Sequence, residues 1–406
     1  MTARLSDQRW LTASSTRAVM AALEVAGGSD CARFVGGCVR NALIGQPVAD
    51  IDIATTMTPE DVVCAIRAAG LKAVPTGIAH GTVTAVAERT PFEITTLRRD
   101  VSTDGRNATV AFTDNWAEDA ARRDFRLNAL YADVGGQVLD PTGEGVDDAL
   151  AGRIVFVGDP ETRIREDFLR ILRFFRFHAW YGRGEPDAAA LAACRSLASG
   201  MTRLSAERIS SELMKLLSAA DPRPAVAAMA ETGVLAKVLP EAELTPPFGA
   251  AVEQGGDALA RLMMLLPPDE TAVRDAASRL RFPNAVRDRL TFAALAFPPV
   301  RLSMSDREGR AALYRHGRQA VSDAVRRRWA ETPDQGDDAR RLLSLAEGWT
   351  RPPLPVGGRE VARLGVDPGP ETGRLLKAFE DAWVADDFPA DGHAERLAAL
   401  VSERRA

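Results

Sequence analysis

The chain has 406 residues, 46% of them apolar, and a formal net charge of −5. Such a length accommodates about two to four domains with a sizeable core, and no stretch reaches the roughly 18 apolar residues that a membrane helix needs. The start, Met-Thr-Ala-Arg-Leu-Ser-Asp-Gln, holds no apolar secretion core, so a cytoplasmic protein is expected, and the negative balance excludes a surface coated in basic side chains while leaving room for a local basic groove.

In chain order, the apolar spacing predicts a helix over Thr16–Val25, stopped by Gly27-Gly28. Ala32–Val35 reads as a strand, Val39–Leu43 opens a helix, and Asp50–Ala54 is a second strand. Pro59–Ala69 follows as a helix with Thr58 as its N-cap. β-Branched alternation marks Ala73–Pro75, Thr82–Ala87 and Phe92–Leu97 as strands. The polar stretch from 98 to 116, with Asp104-Gly105-Arg106-Asn107 at its centre, is expected to be a mobile loop. Leu130–Asp133 and Gln137–Leu139 straddle Gly135-Gly136, a hairpin signal. Beyond about residue 150 helical periodicity takes over, interrupted at Pro222, Pro240, Pro246-Pro247, Pro267-Pro268, Pro298-Pro299 and Pro352-Pro353. The expected fold class is therefore α+β: a head over 1–150 with a small mixed sheet, a helical neck over 151–235, and a helical body and tail over 236–406. Cys31, Cys38, Cys64 and Cys194 have no CxxC spacing and read as free thiols. Of three arginine clusters, the one at Arg315, Arg318, Arg326, Arg327 and Arg328 reads as solvated helix faces; the two upstream are interleaved with aromatics and carboxylates.

Chemistry concentrates in four places. Gly36-Gly37-Cys38-Val39-Arg40 couples a glycine pair, which allows close backbone approach, to a cation suited to phosphate. Asp50 and Asp52 alternate with Ile51 and Ile53, so on a strand both carboxylates share one face while the isoleucines face a core. A paired-carboxylate face calls for a positive partner, and Mg²⁺, which takes carboxylate and phosphate oxygens, is the natural one. Glu93, between Phe92 and Ile94 on a strand that could neighbour Asp50–Ala54, is the candidate third carboxylate; a surface glutamate is the alternative. Arg122-Arg123-Asp124 suits a triphosphate and a helix start. Finally, a helix spanning Arg165–Arg176 would carry Asp167, Arg170, Arg173 and Arg176 at steps of three, each turning about 60° backwards.

That last set can read a base. A carboxylate accepts from an exocyclic amine and a guanidinium donates to a ring nitrogen, so Asp167 with Arg170 admits cytosine and adenine. Uracil and guanine reverse both groups and would leave buried polar atoms unpaired, at roughly 1–3 kcal/mol each.

These segments occur in order: Gly36-Gly37-Cys38-Val39-Arg40, Asp50-Ile51-Asp52, Arg122-Arg123-Asp124-Phe125 with Asn128-Ala129-Leu130, Asp140-Pro141, and Glu166-Asp167 with Arg170 and Arg173. In this the chain resembles the class II CCA-adding tRNA nucleotidyltransferase and bacterial poly(A) polymerase family. The resemblance implies a polymerase-beta-like nucleotidyltransferase head. Asp50 and Asp52 would bind Mg²⁺ as catalytic carboxylates, joined by Glu93. Gly36, Gly37, Arg40 and Arg123 would hold the incoming nucleotide. Asp167 and Arg170 would read its base, and Arg173 and Arg176 would complete the pocket. The loop at 98–116 would help switch from C to A addition. The family's Gly-Gly-x-Val-Arg-Asp ends here in Asn41, one negative charge fewer beside the cradle. The expected reaction is template-free transfer of C and A from CTP and ATP to the 3′ end of tRNA, with the helical body on the acceptor arm and no role for DNA or membrane. Poly(A) addition is the alternative within the family, and a non-catalytic RNA-binding protein the alternative outside it. None of His80, His178, His316 and His393 is followed by Asp, so no fused phosphohydrolase site is expected.

Overall fold

The computed structural model describes residues 3–6, 8–104 and 107–405, with the side chains of 100–104, 107–110, 404 and 405 excepted. The chain divides into two compact units, Met1–Pro240 and Glu241–Ala406.

The first unit opens with helices α1 (Arg9–Thr12) and α2 (Ser14–Gly27), then β1 (Ala32–Val35), α3 (Gly37–Leu43), β2 (Asp52–Thr55) and α4 (Pro59–Ala68). Thr58 caps α4 by accepting from the Asp61 amide at 3.3 Å. Next come β3 (Lys72–Gly77), β4 (Thr82–Ala87), β5 (Thr90–Thr96), β6 (Arg98–Asp104), β7 (Asn107–Phe112) and α5 (Trp116–Ala121). The short strands β8 (Tyr131–Ala132) and β9 (Val138–Leu139) form the expected hairpin, with Gly136 at φ +79° in its turn. Seven of these strands make one mixed sheet in the order β3-β4-β5-β2-β1-β8-β9. Its one parallel pairing, β2 with β5, sets Asp52 opposite Glu93 and Ile53 opposite Ile94. Ile53, Ile94, Phe34 and Phe92 are fully buried, so the apolar alternation of these strands seals one face into the core.

Helices complete the unit: α6 (Gly145–Ala151), α7 (Pro160–Glu166), α8 (Leu169–Tyr181), α9 (Ala188–Leu197), α10 (Ala206–Leu217), α11 (Arg223–Glu231) and α12 (Val234–Val238). The second unit has helices and no strand among its described residues: α13 (Pro246–Glu253), α14 (Ala258–Leu265), α15 (Glu270–Arg279), α16 (Asn284–Ala296), α17 (Asp306–His316), α18 (Arg318–Glu331), α19 (Gly336–Gly348), α20 (Gly358–Arg363), α21 (Pro370–Ala385) and α22 (His393–Arg405). The expected proline breaks all fall at helix starts or between helices, where a missing N–H costs nothing. No helix among the described residues is long and apolar enough to cross a membrane.

Five expectations need correction. The stretch after residue 98 is not an irregular loop: β6 and β7 pair as an antiparallel ribbon with Arg98 opposite Phe112, its tip at 105 and 106 lying outside the described residues. Strand β2 begins at Asp52, so Asp50 precedes it. Arg122 stands at the C-terminal end of α5, not at a helix start. The helix expected over Arg165–Arg176 breaks at Asp167, whose φ of −153° is extended; α7 ends before it and α8 begins after it. The Asp167 carboxylate accepts from the Leu169 amide at 3.0 Å, so an aspartate that competes for backbone donors starts a new helix instead of continuing the old one. Lastly, Arg327 and Arg328 are not simple solvated faces. Arg327 donates to the Leu266 carbonyl at 2.9 Å and Arg328 to the Phe297 and Val300 carbonyls at 3.2 Å. Both guanidinium groups thus satisfy carbonyls left open at the ends of α14 and α16.

Candidate active site

Strand β1 runs into α3 through Gly36, whose φ of +70° is a left-handed conformation that favours glycine. A side chain at Gly36 would meet Arg123 Nη1 at 3.6 Å and one at Gly37 would meet Arg40 Nη2 at 3.8 Å. The glycine turn therefore lies between two guanidinium groups, as a phosphate cradle requires.

Arg123 is fixed by Asp119, which is buried and acts as a hub. Asp119 accepts from Arg123 Nε at 3.2 Å and Nη2 at 2.9 Å, from Arg122 Nη2 at 2.7 Å, from the Tyr131 hydroxyl at 2.7 Å and from the Arg98 amide at 3.3 Å. Burial alone would raise its pKa, but Arg123 and Arg122 hold it down to about 2. Through the Arg98 amide the same carboxylate anchors the base of the β6–β7 ribbon.

Arg40 is buried in α3, its guanidinium 3.9 Å from the Tyr181 ring centroid and 5.3 Å from that of Phe177. It donates to Asn41 Oδ1 from Nε at 3.1 Å and from Nη2 at 2.9 Å, to the Tyr181 hydroxyl at 2.8 Å, and to Asn128 Oδ1. Arg173 and Arg176 flank the same Phe177 ring at 5.4 and 4.4 Å. Three guanidinium groups thus surround one buried ring, two of them, Arg173 and Arg176, being paired with Asp124 and Glu212.

Asp52 lies in register with Glu93 on the neighbouring strand, and Asp50 is two residues upstream. Burial first, then Glu93 and Asp50, push the Asp52 carboxyl up to about 6. Among the described residues, no three His, Cys, Asp or Glu side chains already converge at ligating distance. The donor set is nevertheless all hard oxygen, and the repulsion written into Asp52 is of the kind a divalent cation relieves.

The remaining residues gather on α8 and the break before it. The Arg170 amide donates to the Asp167 carbonyl at 3.0 Å, but the two side chains have other partners. Asp167 pairs with Arg208 of α10 at 2.6 Å, while Arg170 bonds Glu166 at 2.6 Å, the Arg163 carbonyl at 3.0 Å and the Arg122 carbonyl at 3.1 Å. An open groove lined by Leu169, Ser205, Glu207, Arg208, Ser211 and Glu212 adjoins the Asp167–Arg208 pair. Arg173 Nε bonds Asp124 at 2.8 Å and Arg176 Nε bonds Glu212 at 2.6 Å. Asp124 also accepts from Asn128 Nδ2 at 3.1 Å, so Arg170 and Arg173 of α8 tie directly to the segment that carries Arg123.

Sequence reasoning missed Asp119, Tyr181, Arg208 and Glu212. Asp119 had a local signal, since it stands three and four residues before Arg122 and Arg123. The other three meet their partners over 36 to 141 residues of chain, which no local spacing reveals.

Comparison with known proteins places the chain in a family. Residues 32–155 match the family model of the poly A polymerase head domain, and residues 185–244 match that of a probable RNA and SrmB-binding site of polymerase A. Mouse mitochondrial CCA tRNA nucleotidyltransferase 1 is 32% identical over 363 residues, 86% of this chain and 82% of the relative. The CCA-adding enzyme of Limosilactobacillus fermentum is 30% identical over 394 residues, 92% of this chain and 94% of the relative. The crystal structure of the Bacillus stearothermophilus CCA-adding enzyme in complex with CTP superposes with a TM-score of 0.78 at 26% identity, covering 96% of this chain and 97% of that one. The chain belongs to the class II family of CCA-adding tRNA nucleotidyltransferases and bacterial poly(A) polymerases.

Proposed function

We propose that this protein adds C and A to the 3′ end of tRNA from CTP and ATP without a nucleic-acid template, releasing pyrophosphate. The observation that carries this reading is the presence, in one compact unit, of the Asp52–Glu93 register, the glycine turn between Arg40 and Arg123, and a carboxylate–guanidinium set on α8 and the break before it. In this reading residues 1–150 are the catalytic head, 151–235 the neck that reads the base, and 236–406 the body and tail that hold the acceptor arm through phosphates and helical shape.

Asp50 and Asp52 would hold Mg²⁺, with Glu93 as the third carboxylate beside them. In a two-metal site of this kind, one Mg²⁺ would supply activation of the terminal RNA hydroxyl toward the α-phosphate and the second would offset the charge of the leaving pyrophosphate. The chain itself contributes position and charge. The Gly36-Gly37 turn lets the triphosphate approach the backbone. Arg123, locked by Asp119 and Tyr131, presents a fixed guanidinium to it, and Arg40 adds positive potential from below.

Base choice falls to Asp167 and Arg170. On binding, Asp167 exchanges its bond to Arg208 for the exocyclic amine of C or A, and Arg170 turns a donor toward the ring nitrogen. Arg173 and Arg176 stay tied to Asp124 and Glu212 and keep α8 in place. The β6–β7 ribbon, anchored through Asp119 to the Arg123 segment, is the element that adjusts the site between C and A addition.

The test is extension of defined tRNA ends with single nucleotides. A tRNA ending before its CCA should accept CTP, and one ending in CC should accept ATP, with UTP and GTP rejected in both cases. Equal use of all four nucleotides would remove the base-reading assignment.

A further inference from the structure

The hydrogen bonds of Arg40 carry an unusual charge balance. Its acceptors are Asn41 Oδ1, Asn128 Oδ1 and the Tyr181 hydroxyl, all neutral. Among the described residues no carboxylate stands within ion-pair distance of it. Asp124, whose charge it feels, is already held by Arg173, Asn128 and the Phe125 amide. Arg40 is therefore a buried cation with its geometry fixed and no carboxylate bonded to it, a costly arrangement that an arriving anion would relieve.

Asn41 makes this possible. Its Oδ1 receives two donors of Arg40, while its Nδ2 donates to the Pro47 carbonyl at 2.9 Å, and its own carbonyl accepts from the Gln46 amide at 2.8 Å. Pro47 lies in the segment that leads to Asp50 and Asp52. A continuous set of bonds thus runs from that segment through Asn41, Arg40, Asn128 and Asp124 to Arg173 on α8. A neutral side chain with both an acceptor and a donor suits both ends: a carboxylate at 41 could accept from Arg40 but could not donate to Pro47, and it would neutralise the guanidinium.

We propose that Asn41 is a positioning residue whose neutral amide orients Arg40 without cancelling its charge, so that the nucleotide triphosphate supplies the missing counter-ion. This rests on the reading of the cradle as the nucleotide site. Arg40 then acts chiefly through its field, because its donors are largely committed to protein.

The full-length protein, N41D and N41S are compared by CTP and ATP kinetics on a tRNA lacking CCA, and by equilibrium CTP binding without divalent metal. N41D is expected to raise KM and the metal-free Kd for both nucleotides about tenfold, equivalent to about 1.4 kcal/mol, with kcat within about twofold. N41S, uncharged and able to accept and donate, is expected to keep both constants within about threefold of the parent chain. Unchanged affinity in N41D overturns the proposal, and so does an equal loss in N41S, which would make the effect one of packing. A parent chain that adds no nucleotide to tRNA would instead overturn the functional reading, and metal-free CTP binding would still report on Asn41.

Discussion

Asp52 at the start of β2 stands directly opposite Glu93 on the parallel strand β5. Two carboxylates in register, with Asp50 just upstream, repel one another unless a cation intervenes, and Asp52 records that repulsion. Replacement of Asp50 or Asp52 by alanine is expected to lower nucleotide incorporation by at least about 100-fold while leaving tRNA binding intact, measured by filter binding. Glu93→Gln should give a smaller loss, because the amide keeps one oxygen that can accept or ligate. Unchanged incorporation in the Asp52 variant would remove it from the metal role.

Selectivity should follow Asp167. Asp167→Ala is expected to relax the preference for CTP and ATP over UTP and GTP by about 10- to 100-fold, as an unpaired buried group costs about 1–3 kcal/mol. The readout is the ratio of kcat/KM between nucleotides. Arg208→Ala, which frees the Asp167 carboxylate without touching Arg170, should move that ratio in the same direction and by less.

Acid sensitivity has a definite sign. Asp119 and Asp124 are both held at about 2, below the ordinary 3.8, because the arginines beside them outweigh burial. A depressed carboxylate contributes stability that is complete above about pH 4 and is lost as the pH falls toward 2. Urea unfolding followed from pH 7 to pH 2 should show a steep loss in that window. Asp119→Asn should be less stable at neutral pH and show a shallower loss; identical acid profiles would contradict the hub role.

In the second unit Asp323 is buried between Arg289, which bonds it at 2.9 and 3.0 Å, and Gln319 at 3.1 Å. Asp323→Ala leaves the Arg289 charge half-satisfied and should cost about 3–5 kcal/mol. Thermal unfolding should show this as a lowered midpoint, with nucleotide addition retained at low temperature.

The strands of the head were legible because alternation is a local signal: β1 and β4 begin and end where the periodicity places them, and Thr58 caps α4 as its sequence implies. The neighbourhood of Asp52 and Glu93 was open to inference from two apolar-flanked acids, although 40 residues lie between them in the chain. What escaped was whatever depends on partners far along the chain. Arg123 looked like a free phosphate grip, whereas Asp119 and Tyr131 hold it. The three-residue step from Asp167 to Arg176 suggested one helix, yet a carboxylate that bonds the Leu169 amide ends one helix and begins another. Glycine and polar residues made 98–116 read as a loop, because a ribbon pairing only with itself lacks the apolar alternation that marks a strand half-buried on a core. Asn41 stood out as a departure, and only the bonds to Arg40 and Pro47 give it a meaning.

The most direct measurement is the sequence of the 3′ ends made when the protein meets CTP and ATP together, on a tRNA lacking CCA and on an unrelated RNA. Selection of the base by Asp167 and Arg170, with the acceptor held by the helical body, predicts tRNA ending in CCA and stopping there, with the unrelated RNA left unextended. Long A tails on both RNAs would contradict it.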